Sequence, residues 1–266
     1  MHIYNKLSKT ISLFLLTFIS FIHASETVDW TKSYSISPYL GPEIYYVHRT
    51  KEGGATQNGM MYGLRVGADR IARYKFYLGA DLLWAQGNLK GSVDDVHLES
   101  KLTDTNIEGR VGYTFQCKNW RCASFTPFVG IGYFWEKNHY HKPDDFKVHF
   151  ENTFSYVPVG FLSQIFITPQ CSLGLNFKVR ILWNGKQKVS HDPEHSSIDQ
   201  KYDQRPQYRI ELPWTYFYCI DCHSLAFTFE PFYEYRSYGH GVNYPFDFME
   251  TTFNISGATF KFLYLF

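Results

Sequence analysis

The stretch NIEGRVGYTFQ, residues 106–116, alternates with period two: Ile107, Gly109, Val111, Tyr113 and Phe115 share one side, against Glu108, Arg110, Gly112 and Thr114. Successive side chains of a β-strand point to opposite faces, so this segment has one apolar and one charged face. The same split recurs at 172–184, where Leu173, Leu175, Phe177, Val179, Ile181 and Trp183 oppose Gly174, Asn176, Lys178 and Arg180. It recurs again at 225–236, where Leu225, Phe227, Phe229, Tyr233 and Tyr235 oppose Thr228, Glu230, Glu234 and Arg236. No helical period is sustained anywhere. Ten such segments are readable, at 35–48, 60–70, 75–88, 103–116, 124–137, 152–166, 172–184, 207–219, 224–237 and 250–266.

The links between them sort into two sets. Short ones lie near 71–74, 117–123, 167–171 and 220–223, and long ones at 50–59, 89–102, 138–151, 185–206 and 238–249. An even strand count with alternating short and long connections predicts an all-β fold, a closed antiparallel transmembrane barrel with short periplasmic turns and longer outer loops. A soluble lipocalin-type barrel has similar strands, but its charged faces would have to point outward and leave a cavity lined with rings. The composition favours lipid: 21 tyrosines and 24 phenylalanines bring the aromatic share to 19%, and amphipathic rings suit the membrane–water interface. Net charge is +1, so nothing in it asks for nucleic acid. At the start of the chain Lys6 and Lys9 precede an apolar run at 11–22, followed by Ala24 and Ser25. This predicts a secretory signal peptide over 1–24 and a single barrel domain over 25–266. One chain closes the sheet, so a monomer is expected.

The chain ends FKFLYLF, and Phe260, Phe262, Tyr264 and the terminal Phe266 alternate up to the last residue. This resembles the C-terminal signal of Gram-negative outer-membrane β-barrel proteins, and the whole chain resembles their small 8- to 12-strand class. The resemblance implies residence in the outer membrane, contact with its lipid and lipopolysaccharide, and assembly by the periplasmic barrel-assembly machinery that reads this terminal strand.

With the apolar faces on lipid, the lumen collects Glu43, Asp69, Asp81, Glu108, Glu136, Glu211, Glu230 and Glu234 beside Arg65, Arg110, Lys178, Arg180, Arg209, Arg236 and Lys261. Barrels of about eight strands are filled by side chains, and open channels appear near 16. The balanced charges predict a self-neutralising ion-pair network in a largely plugged lumen, with a narrow porin-like pore as the alternative. Inward glycines such as Gly41, Gly63, Gly67, Gly79, Gly112, Gly130, Gly132 and Gly174 are expected to make room for the long Arg and Glu side chains.

All five cysteines fall in predicted periplasmic turns: Cys117 with Cys122, Cys171, and Cys219 with Cys222. In an oxidising compartment the two pairs are disulfide candidates, with metal binding or redox activity as alternatives. Cys171 is left to cross-link to another envelope protein. Histidines crowd the predicted outer loops, with Asp94, Asp95, Asp144, Asp145, Asp192 and Glu194 among them. A His and carboxylates at the barrel mouth could activate water. Acids in the second outer loop with an Asp and a His in the fourth resemble the omptin proteases, which implies that Asp94 and Asp95 would hold the water and that Asp192 with His191 or His195 would complete the site. Adjacent aspartates on a strand, however, point to opposite faces. Metal capture is a second reading, through His139, His141, His191 and His195. Solvated loop side chains are the third. No cofactor is implied. The function these features support is a structural, adhesive or surface-interaction role, with a host or envelope protein as partner. A narrow channel and an omptin-like protease are the alternatives.

Overall fold

The computed structural model describes residues 36–71, 75–117, 123–144, 147–191, 197–220 and 223–265. Among the described residues fourteen strands form a single antiparallel sheet: β1 (Ser37–Lys51), β2 (Thr56–Arg70), β3 (Phe76–Val93), β4 (Val96–Tyr113), β5 (Phe115–Cys117), β6 (Ala123–Lys142), β7 (His149–Thr168), β8 (Cys171–Leu173), β9 (Asn176–Ser190), β10 (Ser197–Lys201), β11 (Gln207–Glu211), β12 (Trp214–Ile220), β13 (His223–Tyr238) and β14 (Thr251–Leu265). They make ten staves, because β4–β5, β8–β9 and β10–β11–β12 each continue one another along the wall. β1 pairs with β14 from Tyr39↔Leu263 to Lys51↔Thr251, so the sheet closes and neither edge is left open. The ten staves are the ten predicted segments, and each charged face points inward as expected.

Local chemistry explains the breaks. Pro213 has no N–H, and the ladder between β11 and β12 is interrupted there. Opposite it, Gly174 donates its N–H to the Pro213 carbonyl at 2.9 Å, while Ser163 Oγ accepts from Leu175 N at 2.9 Å. In β9, Thr153 pairs with Lys186 and Ser155 with Trp183, so Asn184 and Gly185 face the single residue Phe154. Asn184 adopts φ 57° in this bulge. The extra residue reverses the inside–outside order, so Trp183, Lys186 and Lys188 all face outward.

Four long outer loops require correction, the first being 50–59, which shrinks to 52–55 between β1 and β2. Residues 89–102 are mostly strand: Val93 pairs with Val96 around a two-residue turn in which Asp94 and Asp95 have φ 43° and 66°. Such primed turns match the twist of a hairpin, and Asp tolerates the left-handed region. Likewise β6 and β7 reach Lys142 and His149, and β9 and β10 fill much of 185–206. Polar composition had read as loop, yet both faces of a wall that rises above lipid are allowed to be polar. Of the long connections, 239–250 stays largely irregular, and it turns back so that Phe248 is buried and packs at a tilt on Tyr202, at a ring distance of 4.8 Å.

The outward face is layered. Phe76, Phe115, Phe125, Trp214, Tyr218 and Phe262 form an exposed aromatic band near the short-turn end, and Tyr46, Tyr62, Trp84, Tyr133, Trp135 and Trp183 form a second. Leu64, Leu78, Leu82, Ile107, Val129, Ile131 and Ile181 lie exposed between them. Phe76 and Trp84 are eight residues apart on β3, about 27 Å along the strand. At a 35–45° tilt that is roughly 20 Å of membrane thickness, close to the apolar band of such barrels. The terminal strand contributes as read: Phe262 faces out, while Lys261 faces in and bonds Glu230. The signal peptide and Phe266 lie outside the described residues.

Candidate functional site

The lumen is crossed by side chains at several depths. Near the short-turn end a cavity of about 240 Å³ opens, lined by Tyr39, Asp69, Arg110, Thr126, Glu230 and Lys261 among others. Its floor is ionic. Arg65 donates from Nε to Glu43 at 2.5 Å and from Nη1 to Asp81 at 2.6 Å, and Tyr39 Oη donates to Asp81 at 2.7 Å. Lys178 Nζ lies 3.0 Å from both oxygens of Glu108, which also accepts from Tyr156 Oη at 2.8 Å.

One layer further out, Glu234 accepts from Arg180 at 2.7 Å, from Arg209 at 3.1 Å and from Arg236. Arg209 also donates to Glu211 at 2.6 Å and to Glu43 at 3.4 Å. Arg236 spans the lumen to Asp104 at 2.8 Å, where Tyr45 Oη donates from another side at 2.9 Å. Of these bonds, Arg180–Glu234, Arg209–Glu43, Arg236–Asp104 and Tyr45–Asp104 join staves that are not neighbours in the sheet, which neutralises the buried charges and ties separate parts of the wall together. Above them lies an aromatic layer containing Phe134, Phe154, Tyr156, Tyr238 and Phe253, all buried. Arg236 lies 4.6 Å from the centre of the Phe134 ring, so the ionic and aromatic layers meet through a cation–π contact. Tyr238 Oη and Asn152 Nδ2 both donate to Glu136, at 3.1 and 2.8 Å.

The inward glycines make room for rings and for neighbouring backbone, rather than for arginines and glutamates. A Cβ on Gly132 would sit 2.2 Å from Tyr156 Cζ, and one on Gly67 would sit 2.4 Å from Tyr39. The alternation of 103–116 already put Asp104 on the face of Asn106 and Glu108. Parity likewise put Tyr45 beside Glu43. Neither is among the expected lumen residues, although both lie inside the segments 103–116 and 35–48 and on their inward parity.

The omptin-type constellation is not assembled by the described residues. Asp94 and Asp95 occupy the exposed tip of the β3–β4 hairpin. His191 instead packs on His149, at a ring distance of 4.2 Å, and His149 stacks on His139 at 4.0 Å. Lys101 pairs with His139 and His149 with Ser190, so Asp95 is six residues beyond this row and three strand spacings away, roughly 25 Å. Asp192 and His195 lie outside the described residues. Burial between the rings and then the nearby Lys137 and His141 hold His139 below the ordinary imidazole range. His149 is lowered by burial and then by His139. Among the described residues no group of three or more His, Cys, Asp or Glu is placed to hold a metal ion. Cys171 is a free thiol 3.1 Å from Trp214 Nε1. Cys122 and Cys222 lie outside the described residues, as do the side chains of Cys117 and Cys219.

No family model matches the chain, and no curated protein matches it. Among solved structures, the outer membrane protease OmpT of Escherichia coli superposes with a TM-score of 0.56 at 10% identity, over 91% of this chain and 100% of that one. The fold is that of a bacterial outer-membrane β-barrel. The β domain of the Bordetella autotransporter BrkA matches with a TM-score of 0.44 at 10% identity, over 87% and 100% of the two chains. OprG of Pseudomonas aeruginosa matches at 0.38 and 8%, over 90% and 99%. At these identities the likeness is one of fold. The apolar belt between two aromatic bands independently puts the middle of this barrel in lipid.

Proposed function

We propose that the protein is a sealed outer-membrane barrel whose role is structural, adhesive or otherwise interactive, exercised through its outer wall and rim. The observation that carries this reading is the layered lumen: cross-barrel ion pairs centred on Glu234, Glu43 and Glu108, beneath a buried aromatic layer. A path for solute would have to part several buried ion pairs, each costing a few kcal/mol to break. Hydrolysis at the mouth gains no support, because Asp94 and Asp95 stand far from His191. In this reading Phe260, Phe262, Tyr264 and Phe266 carry the chain to the barrel-assembly machinery, and Cys117–Cys122 and Cys219–Cys222 staple periplasmic turns. Planar-bilayer recording on the refolded chain is the test. No steady unitary steps are expected, and clear steps would replace this reading with that of a narrow channel.

A further inference from the structure

At its outer end the lumen holds two cations that no acid answers. Deeper down, Arg65, Arg180, Arg209 and Arg236 each have a buried carboxylate within 3.1 Å. Arg49 is only 5% exposed and enters no ion pair among the described residues. Its Nη1 donates to two neutral oxygens, Gln57 Oε1 at 3.1 Å and Tyr140 Oη at 3.2 Å, while its buried Nε has no hydrogen-bond partner among them. Lys51 lies two residues further along β1 on the same inward face, also without an ion pair among the described residues. Its Nζ reaches across the mouth to 5.4 Å from the centre of the Phe150 ring on β7, and Phe150 packs edge-on against Tyr140 of β6 at 5.6 Å. The acids at this end bond elsewhere. Glu136 accepts from Asn152 and Tyr238, Glu52 accepts from the Glu250 N–H at 3.3 Å, and Glu250 pairs with Arg205 at 3.0 Å.

We propose that Arg49 and Lys51, with Tyr140 and Phe150 across from them, form a site in the outer mouth for a small organic carboxylate. A buried guanidinium without a counter-charge is costly, and a carboxylate supplied from outside removes that cost. The edge of Arg49 that carries Nε matches the two oxygens of a carboxylate, and Lys51 adds a point charge about 7 Å along the strand. Phe150 and Tyr140 offer ring faces to the body that carries the acid, which a bare inorganic anion would not use. Size follows from position. Arg49 stands in register with Phe253 of the aromatic layer, inside the wall, where a small molecule or the end residue of a glycan can reach and a folded surface cannot. Lys51 is five residues beyond Tyr46 of the outer aromatic band, about 17 Å along the strand, so the site opens to the outside medium rather than to lipid. Burial, and then the charge of Arg49, push the Lys51 ammonium down to about 8. A carboxylate bound beside it favours the protonated form, so affinity is level below that value and falls as pH rises through it. The site lies at and above the aromatic layer, so the inference stands whether or not the barrel conducts.

The test uses the refolded full-length chain in nanodiscs of zwitterionic lipid, with ligand-observed NMR titrations and protein-free nanodiscs subtracted. Glucuronate and benzoate carry the carboxylate on a sugar and on an aromatic ring, glucose and benzyl alcohol are their uncharged counterparts, and inorganic phosphate is the bare anion. At least one of the two acids should bind at least about tenfold tighter than its uncharged counterpart and than phosphate, as expected for a charge-assisted pair. Whichever acid binds more tightly shows whether the body is a sugar or an aromatic ring. Its affinity should fall between pH 7 and 9. Lys51→Gln, at a partly exposed position, should weaken binding about tenfold and abolish that pH dependence while keeping the heat-modifiable mobility of a closed barrel, and Lys51→Arg should keep the affinity but lose the pH dependence. Arg49→Lys should keep the charge yet weaken binding, because the fork is lost. Equal binding of acids and uncharged counterparts, phosphate binding as tightly as either acid, or full affinity in Lys51→Gln would each overturn the proposal.

Discussion

Replacing Glu234 by Gln tests whether the lumen is held by its ion pairs. The glutamine keeps the volume and removes the charge, and three guanidinium groups lose a common carboxylate. Arg209 retains Glu211 at 2.6 Å and Arg236 retains Asp104 at 2.8 Å. Arg180 has no other ion pair among the described residues and keeps only the Tyr156 ring, 5.3 Å from its guanidinium carbon. Its side chain is nearly fully buried, so the uncompensated charge cannot be solvated in place. Two unit charges about 4 Å apart attract by ~4 kcal/mol at an effective dielectric near ~20. Removing one partner of a buried pair costs ~3–5 kcal/mol. We therefore expect Glu234→Gln to destabilise by that amount, a shift of two to four decades, at about 1.4 kcal/mol per decade. Reversible urea unfolding in thin lipid vesicles, followed by tryptophan fluorescence, measures it. Adding Arg180→Gln should recover part of the loss, with a coupling of about 2 kcal/mol or more. A single-mutant cost below ~1 kcal/mol, or strict additivity in the double mutant, would refute the view that this network is what holds the lumen.

Three further outcomes follow from the structure. Gly132→Ala should cost ~1–3 kcal/mol by overpacking, because its Cβ would meet the Tyr156 ring at 2.2 Å, and pairing it with Tyr156→Ala should relieve the clash in the same unfolding assay. Asp95→Val, a β-branched residue at φ 66°, should cost ~1–2 kcal/mol, whereas Asp95→Gly should be neutral or better; protease resistance of the β3–β4 hairpin reports both. His139 and His149 titrate below the unfolded imidazole value, so over that interval the unfolded state binds more protons; the contribution they make is complete above about pH 6.5 and fades as pH falls through their folded values. Limited proteolysis of the β6–β7 hairpin should accelerate between pH 7 and 5 by roughly the population shift this linkage allows, and His139→Gln with His149→Gln should flatten the profile.

Strands in the lipid belt were legible because each must show one apolar and one polar face. Residues such as Ile107 and Glu108 therefore reveal their direction without any partner. Beyond the belt that constraint lapses. The outer ends of β3, β4, β6 and β7 are polar on their solvent face and mixed on the inner one, so their continuation as strand was hidden under loop-like composition. The Asp94–Asp95 turn had a local signal, two left-handed-tolerant residues between valines, but it was read as chemistry. The Asn184–Gly185 bulge had one too, and only its effect on Lys186 and Lys188 shows why it matters.

By itself the sequence determined the membrane, the stave count, the inward charges and the aromatic ends of the wall, because each follows from a period-two pattern set by the two solvents on either side of a strand. Only the tertiary structure decided which charge meets which, since Glu43 with Arg209 and Asp104 with Arg236 are separated by 166 and 132 residues and meet across a closed lumen. Strand register decided in turn that Tyr39 and Tyr156 fill the space over Gly67 and Gly132 of the neighbouring strands. Partner choice inside a barrel depends on stagger and closure, which are properties of all ten staves together and of none alone.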